Sequence, residues 1–102
     1  MSCKVVIRQQ VRDFIGALAP APRRKVWAAI KGLPNSQRDL IQLEGNLAPF
    51  FRLRVGGIRV VFEERSVADE RVLVCFFADY RATVYNTLSQ LIANNLLGEL
   101  QK

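Results

Sequence analysis

The 102-residue sequence contains no histidine, so imidazole acid–base catalysis, His-containing zinc sites and Ser–His or Cys–His nucleophiles are excluded. Cysteine is scarce. Cys3 and Cys75 are the only thiols; they fall on different predicted strands and read as small buried hydrophobes, not as a redox pair. Long apolar runs are missing too. The longest, Val72 to Ala78, has seven residues, far short of the ~20 that a bilayer helix needs, so no membrane partner is expected. The start, MSCKVVIRQQ, lacks the apolar core and small-residue cleavage site of a secretion signal, and a cytoplasmic location is the expectation. Acidic residues are outnumbered nine to fifteen, a net charge of +6 that favours polyanions and acidic proteins as partners. Charge alone locates nothing on the chain.

Half of the residues are apolar, and a chain of this length buries roughly two-thirds of its unfolded surface, so residues 1–102 are expected to form one domain. Eleven of the fifteen cations are arginines, whose planar fork suits phosphate and carboxylate better than lysine does.

Residues 3–8 alternate as a short strand near a sheet edge. Val11, Phe14, Ile15 and Leu18 then repeat at helical spacing up to Pro20 and Pro22. A second helix is expected after these prolines, over Arg23 to Leu33, completing a helical hairpin. Residues 35–47 are polar, with Leu43-Glu44-Gly45-Asn46 a loop or a very short strand. The clearest pattern is Phe50 to Phe62, two alternating strands around Gly56-Gly57. Glu63 to Glu70 is a charged turn, and Arg71 to Ala78 a strand covered on both faces. Val84, Leu88, Leu91, Ile92 and Leu96 mark a last helix. The expected architecture is an α+β two-layer fold, β-α-α-β-β-β-α, with a mostly antiparallel sheet and its helices on one face.

A two-residue turn at Gly56-Gly57 sets Arg54 opposite Arg59 and Arg52 opposite Val61, all on the face away from Phe51, Leu53 and Val55. Opposed like charges oppose stability, and an anion would relieve them. The same spacing also describes a solvated strand face with surface ion pairs. Arg81 and Tyr85, four apart, join this face if the last helix begins by Arg81; they are equally an Arg–Tyr packing pair. Trp27 beside its helix stripe reads as core.

Leu43-Glu44-Gly45, the hairpin Phe51-Arg52-Leu53-Arg54-Val55-Gly56-Gly57-Ile58-Arg59-Val60-Val61-Phe62, and Arg81-Ala82-Thr83-Val84-Tyr85 resemble the RelE/ParE superfamily of toxins from type II toxin–antitoxin systems, the RelE branch in particular. That branch reads Leu-x-Gly, then Tyr-Arg-Leu-Arg-Val-Gly-x-Tyr-Arg-Val-Val-Tyr, then Arg-x-x-x-Tyr, in an order covering nearly the whole chain. The resemblance implies an endoribonuclease, an mRNA interferase that cuts messenger RNA in the ribosomal A site and inhibits translation. In such cleavage the RNA's own ribose 2′-OH attacks the adjacent phosphorus, with no metal or other cofactor.

The partners so implied are a cognate antitoxin, the ribosome with its message, and operator DNA only through the antitoxin. Arg54, Arg59, Arg81 and Tyr85 take catalytic roles in this scheme, with Arg52 and Arg54 on the RNA. Members of the branch often carry lysine where this chain has Arg52 and Arg54, and histidine where it has Tyr80. Tyr85, Glu44 and Glu63 therefore stand as alternative proton acceptors. Two other functions share the resemblance: a ParE-like gyrase inhibitor without catalysis, and a degenerate member that only binds antitoxin.

Overall fold

The computed structural model describes residues 3–33, 40–43, 45–47 and 50–94. Strand β1 (Cys3–Ile7) leads into helices α1 (Gln9–Gly16) and α2 (Pro20–Lys31). Strands β2 (Leu40–Gln42), β3 (Phe51–Val55), β4 (Ile58–Val67) and β5 (Glu70–Tyr80) follow, and helix α3 (Val84–Ala93) ends the described chain. The five strands form one sheet in the order β1-β5-β4-β3-β2. Only β1 and β5 run parallel; the other neighbours are antiparallel. Among the described residues no helix is long and apolar enough to cross a membrane.

Val11, Ile15, Val26 and Ile30 bring the apolar stripes of α1 and α2 onto Leu53, Val60, Phe62, Leu73 and Cys75, where Trp27 also packs. The opposite face carries a second core, in which Val84 and Leu88 of α3 cover Val61, Phe76 and Phe77. The expectation of helices on one face is therefore corrected: it holds for α1 and α2, whereas α3 packs on the face that carries the hairpin arginines. The cause is a bulge in β5. Val61 pairs with Phe77 and Phe62 with Cys75, so Phe76 is an extra residue and two consecutive phenylalanines turn to the same side, an apolar surface that α3 must cover.

Three boundaries also differ from expectation. Helix α2 begins at Pro20, not after the prolines; a first-turn proline costs nothing because its missing N–H would be unpaired there anyway. Strands β4 and β5 extend through the charged segment and leave only Ala68-Asp69 as the turn. Both residues have positive φ, 51° and 65°, as a turn matching the sheet's twist requires. Third, Leu40–Gln42 forms the edge strand on β3. Leu96, Glu44 and the tail beyond Asn94 lie outside the described residues.

Alanine is a poor occupant of the left-handed region. Ala68→Gly is expected to raise stability by about 0.5–1 kcal/mol, read as a higher urea midpoint at unchanged slope.

The β1–β5 ladder outlasts β1 itself. The Arg8 N–H donates to Cys75 O at 2.9 Å, and the Gln10 amide supplies a further rung, Nε2 donating to Ala78 O at 2.8 Å and Oε1 accepting Ala78 N–H at 2.7 Å. A side chain thus stands in for a strand residue and fixes the end of β5 to α1.

Both cysteines are free. Cys3 is in register with Arg71 and Cys75 with Ile7, four residues or roughly 13 Å along the strand, too far to bridge. Burial pushes the Cys75 thiol up to about 12 from its ordinary value of 9.0. Stability from this raised pKa is complete below pH 9 and is lost as the pH climbs towards 12, where the unfolded thiol ionises and the folded one does not. That loss is about 4 kcal/mol over the window. Chemical denaturation from pH 8 to 11 should therefore lose stability more steeply for the native chain than for Cys75→Ala.

Candidate functional site

The Gly56-Gly57 turn takes the positive φ it requires, 58° at Gly56, and the hairpin register is the one its spacing dictates. Phe51 meets Phe62, Arg52 meets Val61, Arg54 meets Arg59 and Val55 meets Ile58. One strand further, Arg59 is opposite Asp79. Arg54, Arg59 and Asp79 therefore form a lateral row across β3, β4 and β5, on the same face as α3.

The members of this row are not equivalent. Arg54 is exposed. Arg59 is buried, with 8% of its surface accessible, and its Nη1 donates to Gly56 O at 2.8 Å and Ile58 O at 3.0 Å. Two backbone carbonyls thus hold the guanidinium under the turn, which stiffens the hairpin tip. Arg52 is half-buried, and its Nη1 is enclosed without a hydrogen-bond partner, an unmet donor on the face where RNA binding is expected.

Arg81 reaches the hairpin through its backbone: its N–H donates to Gly57 O at 2.9 Å. The glycine turn and the β5–α3 turn are thereby joined, and exposed Arg81 stands at the same end of the sheet as Arg54. Helix α3 begins at Val84, not at Arg81, so the helical spacing expected for Arg81 and Tyr85 does not apply. Tyr85 is half-buried against the Val61–Phe76 core.

Asp79 organises the intervening turn. Its Oδ1 accepts the Tyr80 N–H and its Oδ2 accepts the Thr83 hydroxyl, each at 2.8 Å. Sequence reasoning omitted Asp79: counting from the β4–β5 turn without the bulge sets Ala78, not Asp79, opposite Arg59.

The other candidates lie elsewhere. Glu63 pairs with Arg65, two residues further from the hairpin tip. Tyr80 packs edge-on against Phe14 of α1, centroids 5.2 Å apart, on the sheet face opposite Arg59. The described site is thus a cationic hairpin tip, two exposed guanidiniums flanking a buried third, beside a carboxylate-ordered turn. Guanidiniums are the side chains best suited to grip phosphate and to offset added negative charge on it.

Solved structures that share this fold include chains of two toxin–antitoxin complexes. A chain of the toxin–antitoxin complex RelBE2 from Mycobacterium tuberculosis superposes with a TM-score of 0.62, covering 76% of this chain and 96% of its own at 21% identity. A chain of the RelB–RelE antitoxin–toxin complex from Methanococcus jannaschii gives 0.57, covering 80% and 96% at 16% identity. No protein-family profile matches the sequence, and no curated protein does. At these identities the likeness is one of architecture: the chain has the α+β fold of a chain from each complex.

Proposed function

We propose that the chain is the toxin of a toxin–antitoxin pair and acts as a metal-independent ribonuclease on messenger RNA in the ribosomal A site. The supporting observation is the joining of two turns by the Arg81 N–H to Gly57 O bond, which brings Arg81 to the Arg54–Arg59 rung. The shared fold with chains of two toxin–antitoxin complexes adds to it.

In this reading the ribose 2′-OH gives up its proton and attacks the adjacent phosphorus. The bond to the 5′ oxygen breaks, leaving a 2′,3′-cyclic phosphate and a 5′-OH that takes up a proton. Arg54 and Arg81 hold the phosphorane-like oxygens. Arg59, fixed beneath them, adds positive potential and keeps the tip rigid. Arg52 grips the RNA backbone, and Tyr85 orients the attacking hydroxyl or takes part in the proton transfer. Each well-placed donor supplies about 3 kcal/mol in a water-poor site.

Primer extension on cellular messages after induction tests this reading. Cuts recurring at codon boundaries within translated frames are expected. Intact messages with DNA synthesis halted first would replace it with gyrase poisoning; uninterrupted growth would reduce the chain to an antitoxin-binding protein.

A further inference from the structure

Arg81 lies midway along the turn that joins β5 to α3, and one carboxylate spans that turn. Asp79 Oδ1 accepts the N–H of Tyr80 and Oδ2 accepts the hydroxyl of Thr83, each at 2.8 Å. The Thr83 N–H closes the same turn onto Tyr80 O at 3.1 Å. Thr83 is also the N-cap residue of α3, yet its side chain makes no capping bond. A threonine in that position ordinarily accepts an N–H of the first helical turn. Here the hydroxyl is turned away from the helix and donates to Asp79.

We propose that Asp79 and Thr83 are positioning residues, a clasp that fixes where the Arg81 guanidinium is presented to the scissile phosphate. The inference rests on the ribonuclease reading and adds to it the residues through which Arg81 acts. Arg81 is exposed, and an exposed arginine spreads over many rotamers. Its usefulness as a donor then depends on how firmly its backbone is set, because a misplacement of about 1 Å costs on the order of 10²-fold in rate. The Gly57 O bond holds that backbone from the hairpin, and the Asp79–Thr83 bond holds it from the helix.

Geometry favours this role for Asp79 over that of a proton acceptor. Both carboxylate oxygens are engaged by donors of its own turn, and Asp79 is half-buried, in register with Arg59. Asparagine separates the two roles. Its amide oxygen still accepts the Tyr80 N–H, and its amino group donates to Thr83 Oγ1, whose proton then has Tyr80 O at 3.5 Å as an acceptor. Asp79→Asn thus keeps the clasp and loses the base.

Single-turnover cleavage of a reporter message on translating ribosomes by the full-length chain tests the clasp. Thr83→Val and Asp79→Ala should each lower the maximal rate by about 10–10²-fold at unchanged half-saturation, and Thr83→Ser should restore it. Thr83 is exposed, so its variants fold even if Asp79→Ala does not. Asp79→Asn should stay within about threefold of the parent, whereas loss of a proton acceptor costs about 10²–10⁴-fold and would overturn the proposal. In an Arg81→Ala background, Thr83→Val should cost nothing further; additive losses would show that the clasp does not act through Arg81. Amide exchange at Arg81 in the RNA-free chain should quicken about tenfold in Thr83→Val and not in Asp79→Asn; equal exchange in both would also overturn it. A parent that cleaves no message ends the ribonuclease reading and this inference together. A cleaving parent matched by its Thr83→Val and Asp79→Ala variants ends this inference alone.

Discussion

Arg81→Ala should abolish growth arrest on expression while leaving the thermal midpoint within a degree or two of the parent. Arg81 is exposed, and its tether to Gly57 runs through backbone atoms that alanine retains. Removing its guanidinium takes away a charge donor and leaves the two turns joined. On the proposed mechanism the cleavage rate should fall by about 10²–10³-fold, the scale for losing one preorganised donor at a developing oxyanion. Arg54→Ala should behave similarly. Arg81→Lys should recover only part of the rate, because an ammonium keeps the charge and loses the bidentate fork. Reporter-message cleavage in a purified translation reaction supplies the rate, and circular dichroism the folding control. A folded Arg81→Ala chain with parental cleavage would remove this residue from the site.

Arg59→Ala should act by another route and lose stability first. Its guanidinium is buried and satisfies Gly56 O and Ile58 O. Alanine leaves those carbonyls without their donor and opens a void beneath the turn, together costing about 2–3 kcal/mol. For a domain of this size that lowers the midpoint by roughly 8–20 °C. Toxicity should fade with the folded fraction and return partly on growth in the cold, which is not expected for Arg81→Ala. Arg59→Met separates shape from charge: filling the void restores part of the stability without restoring the bonds to the turn. Were Arg59→Ala as stable as the parent but inactive, Arg59 would act on the substrate directly.

The hairpin is legible from sequence because strand alternation and a glycine pair fix register together; Arg54 opposite Arg59 follows from counting. The stripe of α1 and the doubly buried β5 are legible for similar reasons. The side of the sheet taken by α3 is not, since a helical stripe says that one flank is buried but not against what. The deciding residue is Phe76, whose bulge turns a second phenylalanine towards α3, and a continuous apolar run gives no sign of the break. The Ala68-Asp69 turn is hidden because neither residue is a glycine. At the site, periodicity assigns Arg59 to the correct face but is blind to depth, and so to its capture by backbone carbonyls. Asp79 escapes notice because its importance lies in a cross-strand pairing remote from it in the chain.

The parallel pairing of β1 with β5 also sets the timetable of synthesis. Strand β1 has as its described neighbour one that ends at Tyr80, so on synthesis it leaves the ribosome without that partner and waits until β5 is built. Ring closure over such a distance is slow, and the glycine turn cannot be braced by Arg81 until that residue has also emerged. On the function proposed above, the cationic tip is therefore unassembled on a nascent copy, and an antitoxin made alongside would have the whole of that delay in which to find it.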